Sequence, residues 1–138
     1  MATASSKADT KHLEFLQAAI SRMAANSFLA KGWSVTLVTA LLALAIKDGR
    51  HYFTLVAILP VIVFAILDAY YLALERGFRR RFKAAVEAYA AGIAPDFNMS
   101  PDFKLEGLVV ALFRPAVLLP HGLLALLLIV AYYLVCHG

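Results

Sequence analysis

The run YFTLVAILPVIVFAILDAYYLAL, residues 52–74, holds a single charged side chain, Asp68. About 20 apolar residues are what a helix needs to cross roughly 30 Å of hydrocarbon. A backbone placed in lipid must also satisfy its own hydrogen bonds, so it is helical or part of a closed barrel. The remainder of the chain offers this run no soluble refuge. Of 138 residues, 62% are hydrophobic and 16% charged, against roughly half and about a quarter in soluble domains. A chain this short has too much surface for its volume to bury that excess internally. The surplus must face lipid, and the expected fold class is an all-α integral membrane protein.

Around this run the chain divides into four stretches. Residues 1–9 are small and polar and read as a disordered start. From Thr10, which is placed to cap, TKHLEFLQAAISRMAANSFLAKGW reads as a helix with Leu13, Leu16, Ile20, Met23 and Ser27 on one face and His12, Glu14 and Arg22 off it. Residues 1–31 are therefore expected to form a cytosolic amphipathic helix on or beneath the membrane. WSVTLVTALLALAI, residues 33–46, is too short to cross alone. Extending it back gives a span over about 28–46 that encloses Lys31, whose stem can carry its charge toward the interface, with Trp33 suited to an interfacial belt. A polar turn, 47–52, leads to the span 52–74, expected to bend at Pro60, where a ladder hydrogen bond is lost. The two spans make an antiparallel hairpin over 28–74.

Residues 75–107 are expected to be a basic cytosolic helix, ending in a C-cap at Gly92, followed by a loop with two prolines. Residues 108–138 return to apolar sequence. An interfacial segment around 105–113 and a third span over about 116–135 are expected there, interrupted by Arg114, Pro115, Pro120 and His121. Pro60, Pro115 and Pro120 are the expected helix breaks.

Orientation follows from lysine and arginine placement. Lys7, Lys11, Arg22 and Lys31 flank the first span on one side, and Arg76, Arg79, Arg80, Arg81 and Lys83 follow the second on that side; the opposite turn has Lys47 and Arg50. The N-terminal helix and residues 75–107 are thus expected in the cytosol, and three spans put the C-terminus outside. The basic cluster has two readings: a topology determinant, or a contact for an anionic ligand or lipid, since guanidinium groups suit phosphate. Net charge is +4, yet the arginines do not interleave with aromatics, so nucleic acid is not an expected partner. The N-terminus lacks a signal-peptide pattern. Cys136 is the one cysteine, so no intrachain disulfide can form. Asn98-Met99-Ser100 matches a glycosylation tripeptide, but the following Pro101 and the expected cytosolic side argue against its use.

In an antiparallel hairpin, residues equally far from the turn lie at similar depth, because both helices rise 1.5 Å per residue. With Lys47 level with Tyr52, Asp68 is sixteen residues along one helix and Lys31 sixteen back along the other. The one acid of the second span thus faces the level of the one base of the first. An unpaired aspartate in a span costs about 3 kcal/mol, so the two are expected to pair. That pair either fixes helix register or forms a polar element of an ion path or gate; separate snorkelling is the third reading. The same ruler puts Glu75 near Ala24, within about a turn of Arg22. Asn26, Ser27, Ser34, Thr36, Thr39 and Ala43, with Ala40 and Ala45, are expected to pack helices together, pore lining being the alternative. Tyr70, Tyr71, Tyr132 and Tyr133 read as interfacial anchors. His121, beside Pro120, reads as a helix-break side chain satisfied by backbone, against a pH sensor or ligand contact.

The catalytic inventory is thin. The sequence has no HExxH, no closely spaced cysteine pair, no glycine-rich phosphate loop and no Ser/His/Asp set in a polar pocket. His12, His51, His121 and His137 are spread over both sides of the membrane, which argues against one metal site. Neither enzymatic activity nor a cofactor is expected.

The stretch ISRMAANSFLAKGWSVTLVTALLALA, residues 20–45, carries a resemblance. It resembles small bacterial inner-membrane proteins in which a cytosolic helix ends in an Arg…Ala-Asn-Ser-Phe stretch before a span hairpin, as in RipA-like membrane proteins. The layout over residues 10–90 is also similar to SLATT-type effectors of bacterial antiphage systems, and to transmembrane effectors of cyclic-nucleotide defence. The resemblance implies a homo-oligomer in the bacterial inner membrane that permeabilises it on a signal, from a nucleotide messenger or a cytosolic partner protein. Arg76, Arg79, Arg80 and Arg81 are then the candidates to contact an anionic messenger. A homo-oligomer is also expected because too little protein surrounds each span to bury Lys31 and Asp68 within one copy. The alternatives are a non-conducting scaffold for cytosolic partners and a small transporter subunit, with Arg114 and His121 near a broken helix.

Overall fold

The computed structural model describes residues 2–48, 52–93 and 96–137, and among them every regular element is a helix. In chain order these are α1 (Ala2–Asp48), α2 (Tyr52–Val56), α3 (Ile58–Ala90), α4 (Leu105–Leu112) and α5 (Pro115–His137). Three helical stretches, Lys7–Asp48, Tyr52–Ala90 and Pro115–Cys136, are long and apolar enough to cross a membrane. Residues 49–51 of the expected polar turn, and one of the two loop prolines, Pro95, lie outside the described residues.

α1 corrects the expected layout at the N-terminus. From Ala2 to Asp48 the sequence contains no proline and one glycine, Gly32, so nothing halts helix propagation. The helix begins at Ala2, where a disordered start was expected, and Thr10 lies in its interior instead of capping it. The amphipathic helix and the first span are one rod, roughly 70 Å long at 1.5 Å per residue. A rod of that length crossing roughly 30 Å of hydrocarbon must project well beyond it.

The rod packs along its length on α3. His12, Leu16, Ala19, Ser27, Ala30, Ser34, Val38, Leu42 and Ala45 are buried, and with half-buried Met23 between Ala19 and Ser27 they recur every three or four residues as one helical stripe. His12, expected off the apolar face, is among the most buried residues on it. Its Nδ1 meets the Tyr89 hydroxyl. From Lys31 back to His12 is nineteen residues and from Asp68 on to Tyr89 twenty-one, so α1 and α3 hold one antiparallel register from the apolar region far into the basic segment.

α3 begins after an interruption at Ala57. Pro60 has no N–H to offer the Val56 carbonyl, so the ladder fails a turn before the proline while the Ala57 N–H still reaches the Phe53 carbonyl at 3.0 Å. Beyond it α3 runs uninterrupted through the second apolar span into the basic segment. It stops where Gly92 takes a φ of 72°. The Gly92 N–H then bonds the Tyr89 carbonyl at 3.1 Å and the Ile93 N–H the Ala88 carbonyl at 3.0 Å, the paired closure that a left-handed residue allows.

The C-terminal apolar sequence is split between α4 and α5 at Phe113 and Arg114, with Pro115 opening α5, where its missing N–H costs nothing. The break expected at Pro120 does not occur: α5 continues through it. Two apolar clusters hold the helices together. Val38, Leu42, Ala57, Val61 and Leu128 form one, and Ala69, Ala73, Ala111 and Val117 the other. Along α3 and α5 a polar layer lies between them, at Asp68 and His121.

The loop after α3 returns across its face at Gly77. A Cβ there would lie 2.9 Å from the Asp102 carbonyl oxygen and 3.2 Å from its carbonyl carbon and amide nitrogen. The absent side chain is what lets loop backbone rest on the helix. Gly77→Ala is therefore expected to cost about 1–3 kcal/mol by overpacking, measured as unfolding in detergent. Gly32→Ala, with open space around its Cβ, is expected to be neutral or stabilising. Equal effects of the two would remove the role assigned to Gly77.

Candidate functional site

The polar layer is built from three helices. α1 contributes Ser27 and Lys31, one turn apart on its buried stripe; α3 contributes Asp68, and α5 His121. Asp68 is completely enclosed and His121 is 5% exposed. Lys31 Nζ donates to Asp68 Oδ1 at 2.6 Å and to Ser27 Oγ at 3.0 Å, and Ser27 Oγ donates to the same Oδ1 at 2.5 Å. One carboxyl oxygen thus accepts from both residues of α1. The other, Oδ2, has no hydrogen bond among the described residues, and His121 Nδ1 is 3.9 Å from it. His121 Nδ1 lies 3.0 Å from the Val117 carbonyl, which can only accept, so that nitrogen carries a proton. Its Nε2 is buried and has no hydrogen-bond partner among the described residues.

Sequence depth matching put Lys31 level with Asp68, and the structure has them in direct contact. It corrects the expectation that a second copy is needed to bury the pair: Asp68 is closed within one chain, because His121 of α5 covers the side that the hairpin leaves open. Lys31 remains 26% exposed at its side chain. His121 was not connected to Asp68 in the sequence reading; the only signal was a histidine in an otherwise apolar third span.

The expected packing residues separate into two groups. Ser27 and Ser34 are buried and Asn26 half-buried, whereas Thr36, Thr39, Ala40 and Ala43 are exposed. Thr36 Oγ1 bonds back to the Gly32 carbonyl of its own helix at 2.9 Å. Two positions along a helix are roughly 200° around it, so Thr36 points away from the face that holds Ser34. Ala45 returns to the buried stripe.

The basic cluster does not converge on one point. Arg79 Nε bonds Glu75 at 2.7 Å, so Glu75 is held on its own helix instead of meeting Arg22. Arg80 donates to the Asp102 carboxylate at 3.0 Å and to its carbonyl at 2.5 Å. Arg81 reaches the Ser100 carbonyl at 3.3 Å and lies 3.8 Å from Asp96, and Lys83 is 3.9 Å from Glu87. Arg76 lines, with Arg80, Asp102 and Arg114, a cleft of about 460 Å³. Just past the apolar part of α3, its guanidinium pKa is lowered by burial and then by Arg114.

At the far end of the α1–α3 pair, burial followed by Asp9 and Asp96 raises the Tyr89 pKa. Its hydroxyl meets His12 Nδ1, with the histidine tautomer setting which of the two donates. The described residues hold no group of three or more His, Cys, Asp or Glu side chains arranged to bind a metal.

Removing one partner of a buried pair strands the other. Lys31→Met is expected to cost about 2 kcal/mol, less than a wholly buried pair would because the lysine is partly exposed. The double variant Lys31→Met/Asp68→Leu is expected to recover most of that loss. A double-mutant cycle by unfolding in detergent reads the coupling, and strictly additive losses would show that the two side chains do not act together. Comparison with family models, with curated proteins and with solved structures gave no match, so function here rests on the chain's own residues.

Proposed function

We propose that the chain is a homo-oligomeric membrane protein of the bacterial inner membrane that permeabilises the bilayer on a signal, with its N-terminus in the cytosol and its C-terminus outside. The observation that carries this reading is the Ser27–Lys31–Asp68–His121 cluster in the apolar region of three candidate spans. An apolar set of similar volume would be as stable or more so, and ionisable residues inside a membrane commonly mark ion or proton pathways. Two polar atoms of the cluster, Asp68 Oδ2 and His121 Nε2, have no hydrogen-bond partner among the described residues and are available to water or an ion when helices separate. The exposed Thr36, Thr39, Ala40 and Ala43 face of α1 supports association, since small residues allow helices to approach closely. The resemblance over residues 10–90 supports the antiphage setting and a nucleotide messenger or cytosolic partner as the signal.

A non-conducting scaffold is the second reading. The complete enclosure of Asp68 within one chain favours it, because a closed pair fixes helix register without any conduction.

Membrane potential in cells separates the two readings. Wild type is expected to depolarise the membrane on induction, and Lys31→Ala and Asp68→Ala, at matched membrane amounts, to depolarise it several-fold less. A polarised membrane with wild type, with and without nucleotide messenger, would leave the scaffold.

A further inference from the structure

We propose that the cleft between α3, α4 and the returning loop is a binding site for the phosphate of an anionic glycerophospholipid. Arg76 and Arg80 of α3, Lys104 before α4 and Arg114 after it line this cleft of about 460 Å³. Arg80 is committed to Asp102. Among the described residues, the side chains of Arg76, Lys104 and Arg114 make no hydrogen bond or ion pair, and Glu106 is the one remaining acid on the wall. Three such cations against one acid leave an excess of positive charge around one small space, which an anion between them would relieve. Guanidinium groups present paired donors that match phosphate oxygens.

Depth selects the source of that phosphate. Arg76 lies two residues past the apolar run 52–74, and Arg114 immediately precedes the apolar helix Pro115–Cys136. Both therefore stand where a span ends, at the level of lipid headgroups, where basic pockets between helices bind anionic lipids. The cleft is also apolar on one side. Ala73, Gly107 and Val110 line it, and Val109 of α4 and Phe113 just after it are exposed apolar neighbours of Val110. A lipid fills both halves, phosphate against the cations and acyl chain along α4, whereas a soluble phosphate compound fills only the polar half. The cations also repel the ammonium of a zwitterionic headgroup. This site requires only that the apolar helices lie in a membrane, and it stands whether or not the assembly leaks.

The test is lipid retention by the full-length chain, delipidated in detergent, offered equal phosphatidylglycerol and phosphatidylcholine, and read by native mass spectrometry. Wild type is expected to retain phosphatidylglycerol selectively. Arg76→Gln/Arg114→Gln is expected to lose that preference about thirtyfold, the effect of two basic residues at an anionic headgroup, with unchanged helix content by circular dichroism. Arg79→Gln/Lys83→Gln removes the same formal charge outside the cleft and is expected to keep the preference. If the first double variant does not fold, Lys104→Gln reads the same site, with an expected loss of about fivefold. No preference in wild type, or equal losses in both double variants, would overturn the proposal. Displacement of phosphatidylglycerol by millimolar inorganic phosphate would also overturn it, in favour of a soluble phosphoanion; continued retention is the expected result.

Discussion

A carboxyl group enclosed among apolar helices has to be answered by donors at its own depth, and much of this structure follows from that requirement. Asp68 draws Ser27 and Lys31 to one of its oxygens, which sets α1 and α3 in antiparallel register. The side chains around it are small. Ala30, Ser34 and Ala69 are all buried beside the cluster, which allows the helix axes to come close enough for short hydrogen bonds. α5 then closes the remaining side with His121, and the apolar clusters on either side of this layer orient the third helix against the hairpin.

Register set in the apolar region is carried outward because neither long helix is interrupted where it leaves. α1 has no proline, and the prolines near α3 lie at its start and in the loop beyond its end. The two rods therefore continue as a pair as far as His12 and Tyr89. The basic residues of α3 are distributed around that projecting rod, each facing a different neighbour. Arg79 serves its own helix, Arg80 and Arg81 hold the returning loop, and Arg76 faces α4 and Arg114. One run of arginines thus both anchors the loop and lines a cationic cleft, Arg80 taking part in each. Gly77, in the middle of that run, admits the loop backbone between them.

Periodicity and depth made part of this legible beforehand. Apolar length gave the three candidate spans, and equal rise per residue brought Lys31 level with Asp68, because both depend only on distance along a helix. Pro60 and Pro115 mark interruptions for a local reason, the missing N–H. Pro120 is different: α5 absorbs it, and whether a helix yields at a proline depends on what packs around it. In the apolar half of α1 the buried face could not be read from residue type, since Ser34 and Thr36 are similarly small and hydroxylated and only the position of α3 and α5 distinguishes them; in the N-terminal half, Leu16 and Ser27 of the expected face are buried and Leu13, Ile20 and Met23 half-buried.

The sequence by itself determined that this chain is helical, that three of its stretches suit a bilayer, and that one acid and one base share a depth, since hydrophobic length and helical rise are properties of a single segment. Tertiary structure decided the rest. It decided that one copy suffices to enclose Asp68, that His121 stands beside it, that His12 packs against Tyr89, and that Arg76 meets Lys104 and Arg114 in one cleft. Each of these joins residues from different helices or from a helix and a loop, and such meetings are set by the rotation of each helix about its axis and the path of the loops, which no one segment specifies.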